Sequence, residues 1–145
     1  MRKSRVAVVA LGVSLTLAGS ALAGDARKLT LRGGVEGDAG ARARLTVVKQ
    51  GGEPRSVRNV QLRNLRVDCG DDSDRIKLLL SGAAKLNDQR EFERAYSDGR
   101  STVRLEGKVR EDGRRVAAQI RGTSIEVSGS GRCKVPDRTF IARKR

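Results

Sequence analysis

Histidine and tryptophan are absent from this 145-residue chain, and its only aromatic residues are Phe92, Tyr96 and Phe140. Lacking histidine, the chain lacks the side chain that most often serves as a general base near neutral pH. A carboxylate pair such as Glu91 and Glu93 could in principle act on a glycoside. Sugar sites usually need aromatic platforms, however. Phe92 reads better as a core residue, and the two glutamates as solvated. No nucleophile–base pair can be assembled from the remaining residues. The expectation is a protein that is not an enzyme and carries no cofactor. The same scarcity of aromatics argues against a single-strand nucleic-acid binder, which stacks bases on rings. No helix-based reader is visible either. Loose, salt-sensitive contact with nucleic acid is expected of any protein this basic, so no specific nucleic-acid partner follows from it.

Acidic residues are also scarce, 17 against 31 lysines and arginines, and the formal net charge is +14. There are two cysteines, Cys69 and Cys133, with no CxxC motif. Long apolar runs are confined to the first residues. Arg2, Lys3 and Arg5 precede an uncharged, mostly apolar stretch at residues 6–18, and Ala21-Leu22-Ala23 follows. That order is the pattern of a secretory signal peptide cleaved after Ala23. The apolar stretch is shorter than the ~20 residues a spanning helix needs. Residues 1–23 are therefore expected to be a leader, and residues 24–145 a single exported domain with no membrane span. That domain carries 28 basic and 17 acidic residues, a net charge of +11.

In an exported chain an even pair of cysteines is most simply a disulfide. Free thiols or metal ligands are the rival reading. A Cys69–Cys133 bridge would close a loop of about 65 residues, worth ~4 kcal/mol in the chain-entropy model.

What the chain does contain is alternation. Val103, Leu105, Gly107 and Val109 alternate with Arg104, Glu106, Lys108 and Arg110. Asp112-Gly113 follows, a strong signal for a two-residue hairpin loop. Val116, Ala118, Ile120 and Gly122 then alternate with Arg115, Ala117, Gln119 and Arg121. This register sets Val109 opposite Val116, Gly107 opposite Ala118 and Leu105 opposite Ile120. A slip of one residue would destroy the match.

Weaker alternation marks strands around Leu29 and Leu31, over residues 41–48, and around Ile76, Leu78 and Leu80. Ile125, Val127 and Cys133 share a parity, and Phe140 or Ile141 marks a last strand. In residues 56–69 the apolar parity switches at Arg63-Asn64, which predicts a β-bulge or a bend between two short strands. Residues 83–96 have helix-favouring composition but no helical stripe, so two weak strands or a loop around Phe92 are expected, with a short helix as the alternative. The expected fold is all-β, a single antiparallel β-sandwich or small barrel with one disulfide.

The segments SVRNVQLRNLRVDCGDDS and STVRLEGKVREDGRRVAAQIRG, followed by Cys133 and a terminal FIARKR, together resemble a group of small exported β-rich proteins of high-GC Gram-positive bacteria. The resemblance covers most of residues 45–145. This chain departs from the pattern at Val60 and Leu62, where aromatics are usual, and at Phe140, where tryptophan is common. The resemblance implies the β fold and the disulfide, and implies no activity.

Two clusters could bind ions. Asp71, Asp72 and Asp74, beside Asp68, could ligate Ca²⁺, but their spacing matches no calcium loop, and aspartates favour turns for their own reasons. The hairpin's outward face is the stronger candidate. It sets Arg110 opposite Arg115 and Arg104 opposite Arg121, with Lys108 between. Directly opposed like charges are unfavourable, and guanidinium forks suit phosphates and carboxylates. Arg104, Lys108, Arg110, Arg115 and Arg121 are thus candidate anion-binding residues, unless acids from neighbouring strands neutralise them.

The expected function is a binding or structural module of the cell envelope, docking on an anionic polymer or an acidic protein surface. The alternative is an extracellular protein–protein module, docking through an open strand edge or through exposed apolar residues such as Val48 and Leu79.

Overall fold

The described strands turn apolar side chains inward in alternation, and in β4 and β8 the inward parity switches part-way along. The computed structural model describes residues 7–12 and 26–145. Ten strands follow in order: β1 (Ala7–Leu11), β2 (Arg27–Val35), β3 (Asp38–Gln50), β4 (Glu53–Cys69), β5 (Asp72–Lys85), β6 (Glu91–Ser97), β7 (Thr102–Val109), β8 (Arg115–Val127), β9 (Gly131–Val135) and β10 (Arg138–Arg143). No helix occurs among the described residues. Residues 83–96 follow the strand expectation: β5 runs to Lys85, and β6 begins at Glu91 after a short loop.

The expected sandwich or barrel is a barrel. Strands β4, β3, β2, β10, β8 and β9 close on themselves in an antiparallel ring. Strands β5 and β1 extend from the β4 side, and β7 and β6 from the β8 side. Closure depends on two long strands that each exchange one neighbour for another along the same edge. β4 pairs with β3 as far as Arg63, and with β9 at Asp68. β8 pairs with β10 from Arg115 to Ile120, and with β9 from Thr123 onward.

Each exchange follows a residue with positive φ. In β4 it is Asn64 (φ 56°), in β8 Gly122 (φ 53°). Asparagine and glycine tolerate that conformation better than other residues. The parity switch at Arg63-Asn64 is therefore a bulge inside one continuous strand, with the register shifting between Leu62 and Leu65. A second bulge lies at Asn59 (φ 52°). Buried Asp38 braces the Asn64 bend. It accepts the Arg66 amide at 2.9 Å and the Arg75 guanidinium at 3.0 Å, while Arg75 also donates to the Asn64 carbonyl at 2.7 Å.

The β7–β8 hairpin has the expected register: Val109 faces Val116, Gly107 faces Ala118, and Leu105 faces Ile120. Its loop differs from the two-residue expectation. The Arg110 amide donates to the Arg115 carbonyl at 2.9 Å, and the Gly113 amide donates to Arg110 at 2.8 Å, so four residues form the loop. Asp112 holds this wider turn by accepting the Arg114 amide at 2.9 Å. The parity shared by Ile125, Val127 and Cys133 spans two strands, because a turn at residues 128–130 separates β8 from β9.

One continuous core fills the molecule, with Leu31, Leu45, Leu62, Leu105, Ile120 and Phe140 fully buried. Burying each such side chain stabilises the fold by roughly 1.5–3 kcal/mol relative to exposure. Phe92 is core, as expected. Val48 and Leu79 are half-buried, a correction to their expected exposure: neighbouring strands cover part of each, and Val8 is the one exposed large apolar side chain among the described residues.

Cys69 and Cys133 are disulfide-bonded, with Cα atoms 4.2 Å apart. The bridge lies next to the Asp68–Lys134 pairing, where β9 meets β4 and the ring closes. A disulfide is consistent with an extracytoplasmic location. The expected cleavage site after Ala23 lies outside the described residues. Within the expected leader, Ala7–Leu11 forms an edge strand parallel to β5, with Val9 and Leu11 in the core.

Candidate anion-binding surface

Asp71, Asp72 and Asp74 sit on or beside the tight turn between β4 and β5, where Cys69 pairs with Asp72 across Gly70 and Asp71. Gly70 has φ 83°, the left-handed geometry such a turn requires. Asp74 is used locally, accepting the Arg75 amide at 2.8 Å. Among the described residues, no three acidic or cysteine side chains are grouped so as to hold a metal ion.

The five candidate residues of the β7–β8 hairpin share its outer face, and their surroundings divide them. Arg104 remains opposite Arg121. Strand β6 lies alongside and brings its own acids. Arg104 pairs with Glu93, and Arg121 with Glu106 at 3.2 Å. Lys108 lies opposite Glu91. Arg110 grips Asp112 through two bonds, of 2.9 and 2.7 Å. That fork, helped by the Arg114 amide, lowers the Asp112 carboxyl to a pKa of about 2 and raises that of Arg110. Among the described residues, Lys108 makes no ion pair, and Arg115 has no carboxylate either paired with it or opposite it. Its Nε is buried and accepted by nothing there.

Arg115 belongs instead to a larger feature. Across β8 and β10 it faces Arg143. Arg143 faces Arg32 across β10 and β2, and Arg32 faces Arg44 across β2 and β3. With Arg110, the residue after β7 whose amide bonds the Arg115 carbonyl, five arginines across five neighbouring chain segments form a transverse row. Directly opposed residues lie on the same face of a sheet, and here it is the outer one. At the ordinary spacing of adjacent strands the row spans about 20 Å. Among the described residues, Asp112 on Arg110 is the one carboxylate paired with any member.

Two hollows flank the row, and neither is lined by an aspartate or glutamate. One, of about 300 Å³, lies among Arg110, Arg114, Arg115, Arg143, Lys144 and Arg145. The other, of about 530 Å³, lies among Arg32, Arg42, Arg44, Arg63 and Arg145, with Gly33, Gly34 and Ala43 beneath. Arg145 borders both. A third, wider groove of about 730 Å³ lies over β6, β7 and β8. It has Leu86, Phe92 and Gly107 on its floor, and Glu91, Glu93 and Glu106 around it. Two of those carboxylates are the partners of Arg104 and Arg121.

Comparison with known proteins adds no family: no protein-family model, curated protein or solved structure matches the chain.

Sequence reading thus found one end of the basic feature and missed Arg32, Arg42, Arg44, Arg63, Arg143 and Arg145. The outward parity of Arg42 and Arg44 was visible in the alternation of residues 41–48. What could not be seen was that β10 enters between β8 and β2 and joins the two halves of the row.

Proposed function

We propose that this protein is a non-enzymatic, exported binding module of the cell envelope that docks on an anionic polymer through the arginine row. The observation supporting this reading is the run of five directly opposed arginines with a single carboxylate partner among the described residues. Opposed like charges cost a fraction of a kcal/mol per pair. An anionic chain lying along the row removes that repulsion and satisfies the guanidinium forks with charge-assisted hydrogen bonds. The sequence pattern of a leader and the disulfide support the extracytoplasmic setting. Arg104 and Arg121, already neutralised by Glu93 and Glu106, contribute less to docking than the row does.

The test is retention on anionic wall polymer across a salt series. Charge reversal at Arg32 and Arg143 is expected to move elution to clearly lower salt than the same reversal at Arg104 and Arg121. Unchanged retention of the Arg32→Glu/Arg143→Glu protein would remove the row as the docking site.

A further inference from the structure

The hollow at the β2–β4 end of the row has a chemistry of its own. Strand β3 carries Arg42 and Arg44 two residues apart on the outer face. Strand β2 sets Arg32 opposite Arg44, and β4 sets Arg63 opposite Arg42. Four guanidiniums from three strands therefore surround one depression of about 530 Å³, at two successive rungs of the sheet. On its β2 side Arg42 faces Gly34, which has no side chain. A Cβ there would lie 3.8 Å from Arg42 Nη1, so this guanidinium reaches over the glycine. Arg42 is also held in place, because its Nη1 donates to the Ala39 and Ala41 carbonyls, both at 3.2 Å. Its remaining N–H groups are left for a ligand.

The number and arrangement of these donors decide between anion classes. A carboxylate offers two oxygens in one plane, which a single guanidinium fork can satisfy. A phosphate group directs its oxygens tetrahedrally and can accept from several forks at once. Five arginines, these four and Arg145, around one depression with no aspartate or glutamate in its lining match the second pattern.

We propose that this hollow is a phosphate-binding subsite, and that the polymer docked by the row is a phosphate-bearing one rather than a polycarboxylate. The subsite extends the docking reading, and its test is independent of it. The full chain is titrated calorimetrically at moderate salt and near-neutral pH with inorganic pyrophosphate, and separately with citrate, an anion of similar charge. Pyrophosphate is expected to bind at least about tenfold more tightly than citrate, the effect of roughly one additional charge-assisted contact. The Arg44→Gln/Arg63→Gln protein is expected to lose about tenfold or more of that affinity. The Arg58→Gln/Arg132→Gln protein removes the same net charge from exposed positions outside the row and the hollow, and is expected to bind like the parent.

Equal affinity for the two anions, or equal losses in the two double variants, would overturn the subsite. If polymer retention still depends on Arg32 and Arg143 in that case, docking stands and only the phosphate assignment fails. Selective pyrophosphate binding without polymer retention would have the opposite meaning.

Discussion

Replacing Arg143 with glutamine should make the protein more stable and a poorer binder. Arg143 has an arginine directly opposite on both sides, Arg115 on β8 and Arg32 on β2. Each opposed like-charge pair is unfavourable by roughly 0.2–1 kcal/mol. Removing the central charge relieves both, a gain of about 0.4–2 kcal/mol at low salt. For a domain of this size that corresponds to a rise in Tm of about 2–8 °C. The assay is thermal unfolding of parent and Arg143→Gln protein in ~10 mM and ~1 M sodium chloride. The Debye length is about 30 Å in the first and about 3 Å in the second. The latter is shorter than the spacing between neighbouring strands, so most of the gain should vanish in high salt. The same substitution should weaken polymer retention. A residue that lowers stability yet supports binding has been kept for the binding, whereas an arginine serving the fold would lose on both counts. A lower Tm at low salt, or a gain indifferent to salt, would refute the reasoning.

Replacing both cysteines with alanine should cost about 4 kcal/mol by the chain-entropy argument, given a sequence separation of 64. Urea unfolding should show the loss and hydrogen exchange should rise first in β9, whose contact with β4 the bridge secures; a change under ~1 kcal/mol would contradict this role. Burial raises the Asp38 carboxyl, but the Arg66 amide and the Arg75 and Arg138 charges outweigh it, so its pKa lies below the ordinary 3.8. Its stabilisation is therefore complete above that value and is lost as pH falls through the lower folded value. Asp38→Asn should cost about 1–3 kcal/mol near neutral pH and flatten the acid limb of stability against pH, and an unchanged acid limb would show that Asp38 is not responsible for it.

The legibility of this fold follows the range of the interactions. The β7–β8 register was readable because two adjacent segments carry matching parities, and a slip would expose Leu105 and Ile120. The Asn64 bulge was readable because a parity switch within one strand has few other causes. The loop at Asp112-Gly113 was misjudged because Asp112 bonds Arg110 and Arg114, and those bonds favour a wider turn than the dipeptide alone suggests. The same local effect neutralises Arg110. Arg104 and Arg121 depend on more distant partners: β6 lies beside β7 and carries Glu93, while Glu106 pairs across to Arg121.

Alternation by itself determined that the chain folds as strands with an apolar inner face and arginines outside, because the side-chain period of a strand is a property of neighbouring residues. Two cysteines in a chain that begins with an export pattern likewise made a Cys69–Cys133 pairing the simplest reading. Strand order came only from tertiary structure. β10 pairs between β8 and β2, and so aligns Arg115, Arg143, Arg32 and Arg44, residues far apart in the chain. Their shared field arises from proximity across strands, and no local sequence pattern encodes which strands will be neighbours.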